Sequence, residues 1–193
     1  MAKRSTKSSE QATPTHVALL RAINVGGNNM LPMSELAKFC TSAGCADVQT
    51  YIQSGNVLFR ADAACAKRMP AAVEDMIEKR FGFRPPIVVR TAKEMREVVR
   101  ANPFARNGSD TSATYVAFLS AAPTAQRIAT LDPNRSPGDT YEVQGREIYM
   151  NLLAGAGKTK LTTAYFDSKL ATVSTFRNWR TVLTLTGMLT PSK

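Results

Sequence analysis

Residues 16–22, HVALLRA, are echoed 99 positions later by YVAFLSA at 115–121. Two more segments follow in the same order. Tyr51, Gly55, Leu58 and Phe59 match Tyr141, Gly145, Ile148 and Tyr149 at an offset of 90, and Thr91, Met95, Arg96, Val98 and Val99 match Thr175, Trp179, Arg180, Val182 and Leu183 at an offset of 84. One such match means little. Three in one order mark an internal repeat whose connections are shorter in the second copy. The rest of the chain after residue 113 therefore reads as a second version of the same plan.

In the first copy, residues 16–25 are apolar and β-prone through Leu20 and then carry Arg21 and Asn24. The run Gly26-Gly27-Asn28-Asn29 breaks the strand, because these residues tolerate positive φ. Pro32 suits a first helical turn, and Met33, Leu36, Cys40 and Ala43 fall at helical spacing before Gly44. Residues 48–52 and 57–60 read as strands joined by hairpin-turn chemistry at Gln53-Ser54-Gly55-Asn56. A second helix carries Met69, Val73, Met76, Ile77 and Phe81 and stops at Gly82. Pro85-Pro86 leads into an edge strand at 87–90. Thr91 and Glu94 form a capping box opening a third helix that Asn102-Pro103 ends. The second copy reads as a strand at 115–119, a helix opened by Pro123 and Thr124, and a loop at 132–139. Paired strands follow at 141–143 and 147–151, then a glycine-lysine loop at 155–160 and a helix at 161–170. A weak strand at 171–175 and a final helix at 176–188 complete it.

The order β-α-β-β-α-β defines an α+β fold, a tandem duplication of ferredoxin-like βαββαβ units each followed by an extra helix. The expected organisation is a disordered basic arm at 1–13, a first unit at 14–104, a linker at 105–113 and a second unit at 114–193. In such a unit the first strand's exit and the hairpin turn lie at the same end of the sheet, which brings Gly26–Asn29 near Ser54–Asn56.

At these residues the chain resembles a bacterial family, the domain of unknown function sixteen ninety-seven. The resemblance rests on LLRAINVGGNN followed by Pro32-Met33 and Glu35-Leu36, on TYIQSGNVLF, on ANPF at 101–104, on GAGKTKL at 155–161 and on FRNWRTVLTL at 176–185. It implies a cytoplasmic protein of duplicated ferredoxin-like architecture and implies no activity. Ala22 stands where the family usually has Gly, and Arg180 where an uncharged polar residue is usual.

Three cysteines without a CxxC fit reduced thiols, and the single histidine, His16, begins a strand, so no metal site is expected. No run reaches the roughly 18 apolar residues of a membrane helix, and the N-terminus has no secretory h-region. No cofactor is called for. The formal net charge of +10 favours anionic partners, and nucleic acid is one candidate. The strand aromatics, however, do not make a base-stacking platform.

The strongest candidate site is the glycine loop, Gly26, Gly27 and Asn28, with Asn24 beside it and Arg21 supplying a charged fork. Ser54, Gly55 and Asn56 are its expected neighbours. Lys158, in Gly157-Lys158-Thr159, and Lys160 just after it are candidates for touching an anion, although the motif lacks the earlier glycine of a phosphate-binding P-loop, since Leu152 stands there. Arg177 and Asn178 are read as polar groups on the first turn of the last helix. Trp179 is read as core. The function expected is a binding module for a small anionic, phosphate- or nucleotide-like ligand. The alternatives are an enzyme acting on such a ligand and a weakly specific nucleic-acid binder.

Overall fold

A computed structural model describes residues 13–106 and 110–190. The expected arm at 1–13 falls almost wholly outside these residues, and so does the middle of the expected linker. The first half is β1 (His16–Leu20), α1 (Met33–Ser42), β2 (Ala46–Tyr51), β3 (Asn56–Arg60), α2 (Ala63–Phe81), β4 (Ile87–Thr91) and α3 (Ala92–Ala101). The second half is β5 (Thr114–Leu119), α4 (Ala125–Ile128), β6 (Thr140–Gln144), β7 (Glu147–Asn151), α5 (Thr163–Leu170), β8 (Ser174–Asn178) and α6 (Trp179–Met188). Each half forms an antiparallel four-stranded sheet, in the orders β2-β3-β1-β4 and β6-β7-β5-β8.

Local chemistry sets the boundaries. Asp62 caps α2 by accepting from Cys65 N–H, and Gly82 closes it at φ 78°. Thr91 and Glu94 form both halves of the capping box on α3. The last strand and helix begin later than the spacing suggests. β8 runs through Asn178, whose side chain caps α6, so Arg177 and Asn178 lie at the end of a strand rather than on the first helical turn.

The strand pairing also gives a register between the two halves that differs from the one read in the sequence. β1 pairs Val17 with Leu58 and Arg90, while β5 pairs Val116 with Tyr149 and Arg177. The third segment therefore matches at an offset of 87, not 84, and the second strand of the hairpin at 91, not 90. Met95 corresponds to Val182, and Arg90 corresponds to Arg177. The hairpin loops differ in length, four residues between Tyr51 and Asn56 against two between Gln144 and Glu147, which is why a constant offset misleads there.

β1 is buried along its whole length and β5 at every residue but the half-buried Tyr115, because both sheet faces are covered. On the outer face of the first sheet, Ala18, Leu20 and Phe59 pack on Leu36, Met69, Val73 and Ile77 of α1 and α2. In the second, Ala117, Leu119 and Met150 pack on Phe166 and Leu170 of α5. A third core joins the halves, with Val17 and Leu19 of β1 and Val116 and Phe118 of β5 meeting Met95 and Val98 of α3 and Trp179, Val182 and Leu185 of α6. The helix that follows each set of strands thus closes the molecule along its middle, and Trp179 belongs to this core.

Candidate functional site

β1 ends at Leu20, whose N–H bonds Gly55 O at 2.8 Å. The exit of β1 and the β2–β3 turn therefore touch, as the strand directions require. The chain then turns through Ala22 at φ 52° and Asn24 at φ 54°. Ala22 is where the family resemblance points to glycine, and its left-handed backbone gives the reason. The Asn24 side chain accepts from Leu31 N–H at 2.7 Å and donates to Leu31 O and Gln53 O. Val25 and Asn28 form a bridge, Asn24 N–H bonds Asn29 O, and Gly26 and Gly27 both have positive φ. That is a two-residue turn of the hairpin type. The glycines make the exposed tip of a small hairpin, and α1 begins only at Met33. Nothing would meet a Cβ at either glycine.

Beneath this loop lies Arg177. Its residue is 8% exposed. Nε donates to Asn56 Oδ1 at 2.5 Å, Nη1 to Thr175 Oγ1 and Phe176 O, and Nη2 to Leu20 O at 2.8 Å and to Ser54 O and Gly55 O, both at 3.2 Å. The second half's β8 thus reaches into the exit and turn of the first half. Arg90 of β4 does the reverse. Its Nη2 donates to Leu119 O at 2.7 Å and Arg146 O at 3.0 Å, Nη1 to Val89 O, and Nε to Glu147 Oε1 at 2.8 Å. Four of the partners correspond, Leu20 with Leu119, Gly55 with Arg146, Asn56 with Glu147 and Phe176 with Val89, while Ser54 O and Thr175 Oγ1 bond Arg177 alone.

The two arginines differ in charge balance. Arg90 faces the carboxylate of Glu147, and beside it Arg146 pairs with Glu94. Burial lowers the pKa of Arg90, and Glu147 opposes that shift. Burial pushes the Glu94 carboxyl up, but hydrogen bonds from Thr91 and the charges of Arg146 and Arg90 outweigh it and leave the pKa low. At Arg177 the acceptors are five neutral oxygens and an amide. Burial alone lowers its pKa to about 10, so it stays charged at neutral pH.

A cleft of about 570 Å³ opens over Arg177 between the two halves. Arg21, Ser54, Arg177 and Asn178 line it, with Thr163 at the start of α5 and Thr181 in the first turn of α6. Val25 and Ile52 form part of its apolar rim. Arg21 also spans the halves, pairing with Asp167 of α5, which in turn accepts from Ser174 Oγ at 2.7 Å. Of the residues expected to form a site, the structure brings together Arg21, Ser54, Arg177 and Asn178, with Gly55 and Asn56 in the wall behind them. Gly26, Gly27 and Asn28 stand outside on the hairpin tip. Lys158 and Lys160 are exposed on a loop whose Lys158 N–H and Thr159 N–H turn back to Gly155 O, and neither lysine lines the cleft.

The sequence reading missed Arg90, Glu94, Arg146, Glu147, Asp167, Thr163 and Thr181. A signal existed for Arg90, which shares its local setting with Arg177. IVVRT and STFRN each place an arginine directly before a helix-capping residue. His16 sits at the far end of β1, roughly 13 Å away at 3.3 Å per strand residue, stacked on Phe59 and bonded to Thr15. All three cysteines are free and buried, with Cys40 and Cys45 pushed up to about 12 by burial. Among the described residues no cluster of three His, Cys, Asp or Glu could hold a metal ion, and no helix is long and apolar enough to cross a membrane.

A model of the family described as protein of unknown function (DUF1697) matches residues 14–149. The chain is similar in structure to the conserved bacterial protein SP0830 from Streptococcus pneumoniae, at a TM-score of 0.67 and 20% identity over 93% of this chain and 100% of that one. No curated protein matches it.

Proposed function

Since the chain belongs to the family described as protein of unknown function (DUF1697), whose description names no activity, we propose a function from its geometry: a binding module for a small anionic ligand held in the cleft over Arg177. One observation carries this reading. Arg177 is a buried cation with every N–H donor engaged and no carboxylate beside it, while its structural counterpart Arg90 has one. A buried charge without a counter-ion is costly, and an anion entering the cleft would relieve that cost. The first turns of α5 and α6 add partial positive charge at the same place.

The architecture that builds this cleft is, on the same reading, a duplicated ferredoxin-like unit, with units at 14–104 and 114–193. The matching strand orders and reciprocal arginines support it. The protein is read as cytoplasmic, in line with its unpaired buried thiols.

The test is a thermal-shift panel of phosphate-bearing and carboxylate compounds on the wild type and on Thr163→Glu, which puts a negative charge in the cleft at a position where a helix favours one. The expected result is a selective rise in melting temperature that Thr163→Glu removes while the protein stays folded. No shift with any anion, together with RNA or DNA binding that falls steeply with salt, would overturn it in favour of a nucleic-acid binder.

A further inference from the structure

A counterpart of this cleft, filled by a side chain, lies where β4 and α3 of the first half meet the β6–β7 turn of the second. There the Glu94 carboxylate sits over the start of α3. Its Oε2 accepts from Thr91 N–H at 2.7 Å and from Thr91 Oγ1 at 3.0 Å, and its Oε1 accepts from Arg146. The main-chain N–H of Thr91 is open to that carboxylate because of ladder parity. Arg21 N–H bonds Pro86 O, and bonded pairs alternate along an antiparallel ladder, so the pair His16–Thr91 is a non-bonded one. The other ladder obeys the same count. Ser120 N–H bonds Val173 O at 2.8 Å, which makes Tyr115–Asn178 a non-bonded pair too. The Asn178 N–H therefore points out of the sheet as the Thr91 N–H does. The residue three positions on, which is Glu94 in one half, is Thr181 in the other, and its side chain is too short to supply the oxygen.

Charge makes the same comparison. The filled site holds Arg90 and Arg146 against Glu94 and Glu147 and is balanced. In the cleft Arg21 is balanced by Asp167, Asn56 and Thr181 replace the two acids, and Arg177 leaves a single positive charge. One negative charge completes the set, and one acceptor oxygen is asked for at Asn178 N–H. A phosphate monoester carries about 1.5 to 2 negative charges near neutral pH and needs several free donors, whereas the donors of Arg177 are all engaged.

We infer that the anion this cleft takes is a monocarboxylate, with one oxygen on the Asn178 main-chain N–H, in the place that the Glu94 carboxylate fills in the other half. The inference rests on the anion-binding reading above and narrows it to one chemical class. The ligand is a small organic acid whose apolar part faces Leu20, Ile23 and Phe176 in the cleft wall.

The test is an amide NMR titration of the full chain with acetate and, separately, with inorganic phosphate, following the Asn178 N–H. A saturable Asn178 shift with acetate, at least tenfold weaker with phosphate, is expected. Thr181→Glu should abolish the acetate response and raise the melting temperature by supplying the carboxylate internally, while Thr181→Ser should retain the response. A phosphate response with none to acetate would overturn the carboxylate inference and leave the anion-binding reading standing, and so would an unchanged acetate response in a folded Thr181→Glu. No response to either ion would overturn both. The wild-type titration decides the matter even if Thr181→Glu does not fold.

Discussion

Arg177 and Arg90 occupy equivalent strand positions, and what separates them is a few atoms on their neighbours, an amide at Asn56 against a carboxylate at Glu147. At this scale a second titratable group makes a separate prediction. His16 is buried at the start of β1, and burial lowers its pKa against the opposing pull of Glu94. A histidine whose folded pKa lies below its unfolded value binds its proton more readily in the unfolded chain. Stability therefore falls as the pH drops below about 6.5, its unfolded value, and goes on falling down to the folded pKa. Urea midpoints between pH 5 and 7.5 should decline toward acid, and His16→Phe should flatten that decline. An unchanged slope in His16→Phe would assign the effect to carboxylates instead.

Among the elements, the two glycine turns beside the cleft have different physical reasons. A Cβ at Gly55 would lie 2.8 Å from Leu20 Cβ and 3.0 Å from Ile23 Cδ1, at φ 72°. Gly26, at φ 57°, would meet nothing. Gly26→Ala should cost only the left-handed backbone term, about 1 to 2 kcal/mol. Gly55→Ala should cost roughly 3 kcal/mol or more, because overpacking adds to that term. Urea denaturation of the pair checks the order. Equal costs would mean that the turn relaxes away from β1. Much of this was legible in the chain. Thr91 and Glu94, Gly82, the prolines before β4 and the apolar runs of β1 and β5 each announce their element through local chemistry. The end of the chain was not, because FRNW reads equally well as a helix start, and only pairing of Arg177 with Val116 fixes it as strand. The cleft was half legible. Arg21 stood out beside the glycine loop, Ser54 in the hairpin turn and Arg177 as a polar group near the last helix. Glu94, Glu147 and Thr181 matter only through a correspondence between halves that depends on the 87-residue register, which the sequence match placed three residues short.

Taken whole, the molecule is two sheets closed on a shared core that holds α3, α6 and its only tryptophan. Val17 and Leu19 of one half and Val116 and Phe118 of the other contribute to the same apolar cluster, so neither half buries its inner face alone. Unfolding should then be a single transition, with Trp179 fluorescence and far-ultraviolet circular dichroism melting together. Two separated transitions would show that the halves are independent. The cleft exists because of this closure, since each arginine is carried by one half and bound by the other. The central claim is that closure leaves one buried positive charge for an external anion to answer. Anomalous diffraction from crystals soaked in bromide tests it most directly. A bromide peak in the cleft within about 6 Å of the Arg177 guanidinium, the range over which opposite charges act strongly, and absent from Thr163→Glu, is the predicted result. Bromide found only beside exposed lysines such as Lys158 and Lys160, with the cleft empty, would contradict it.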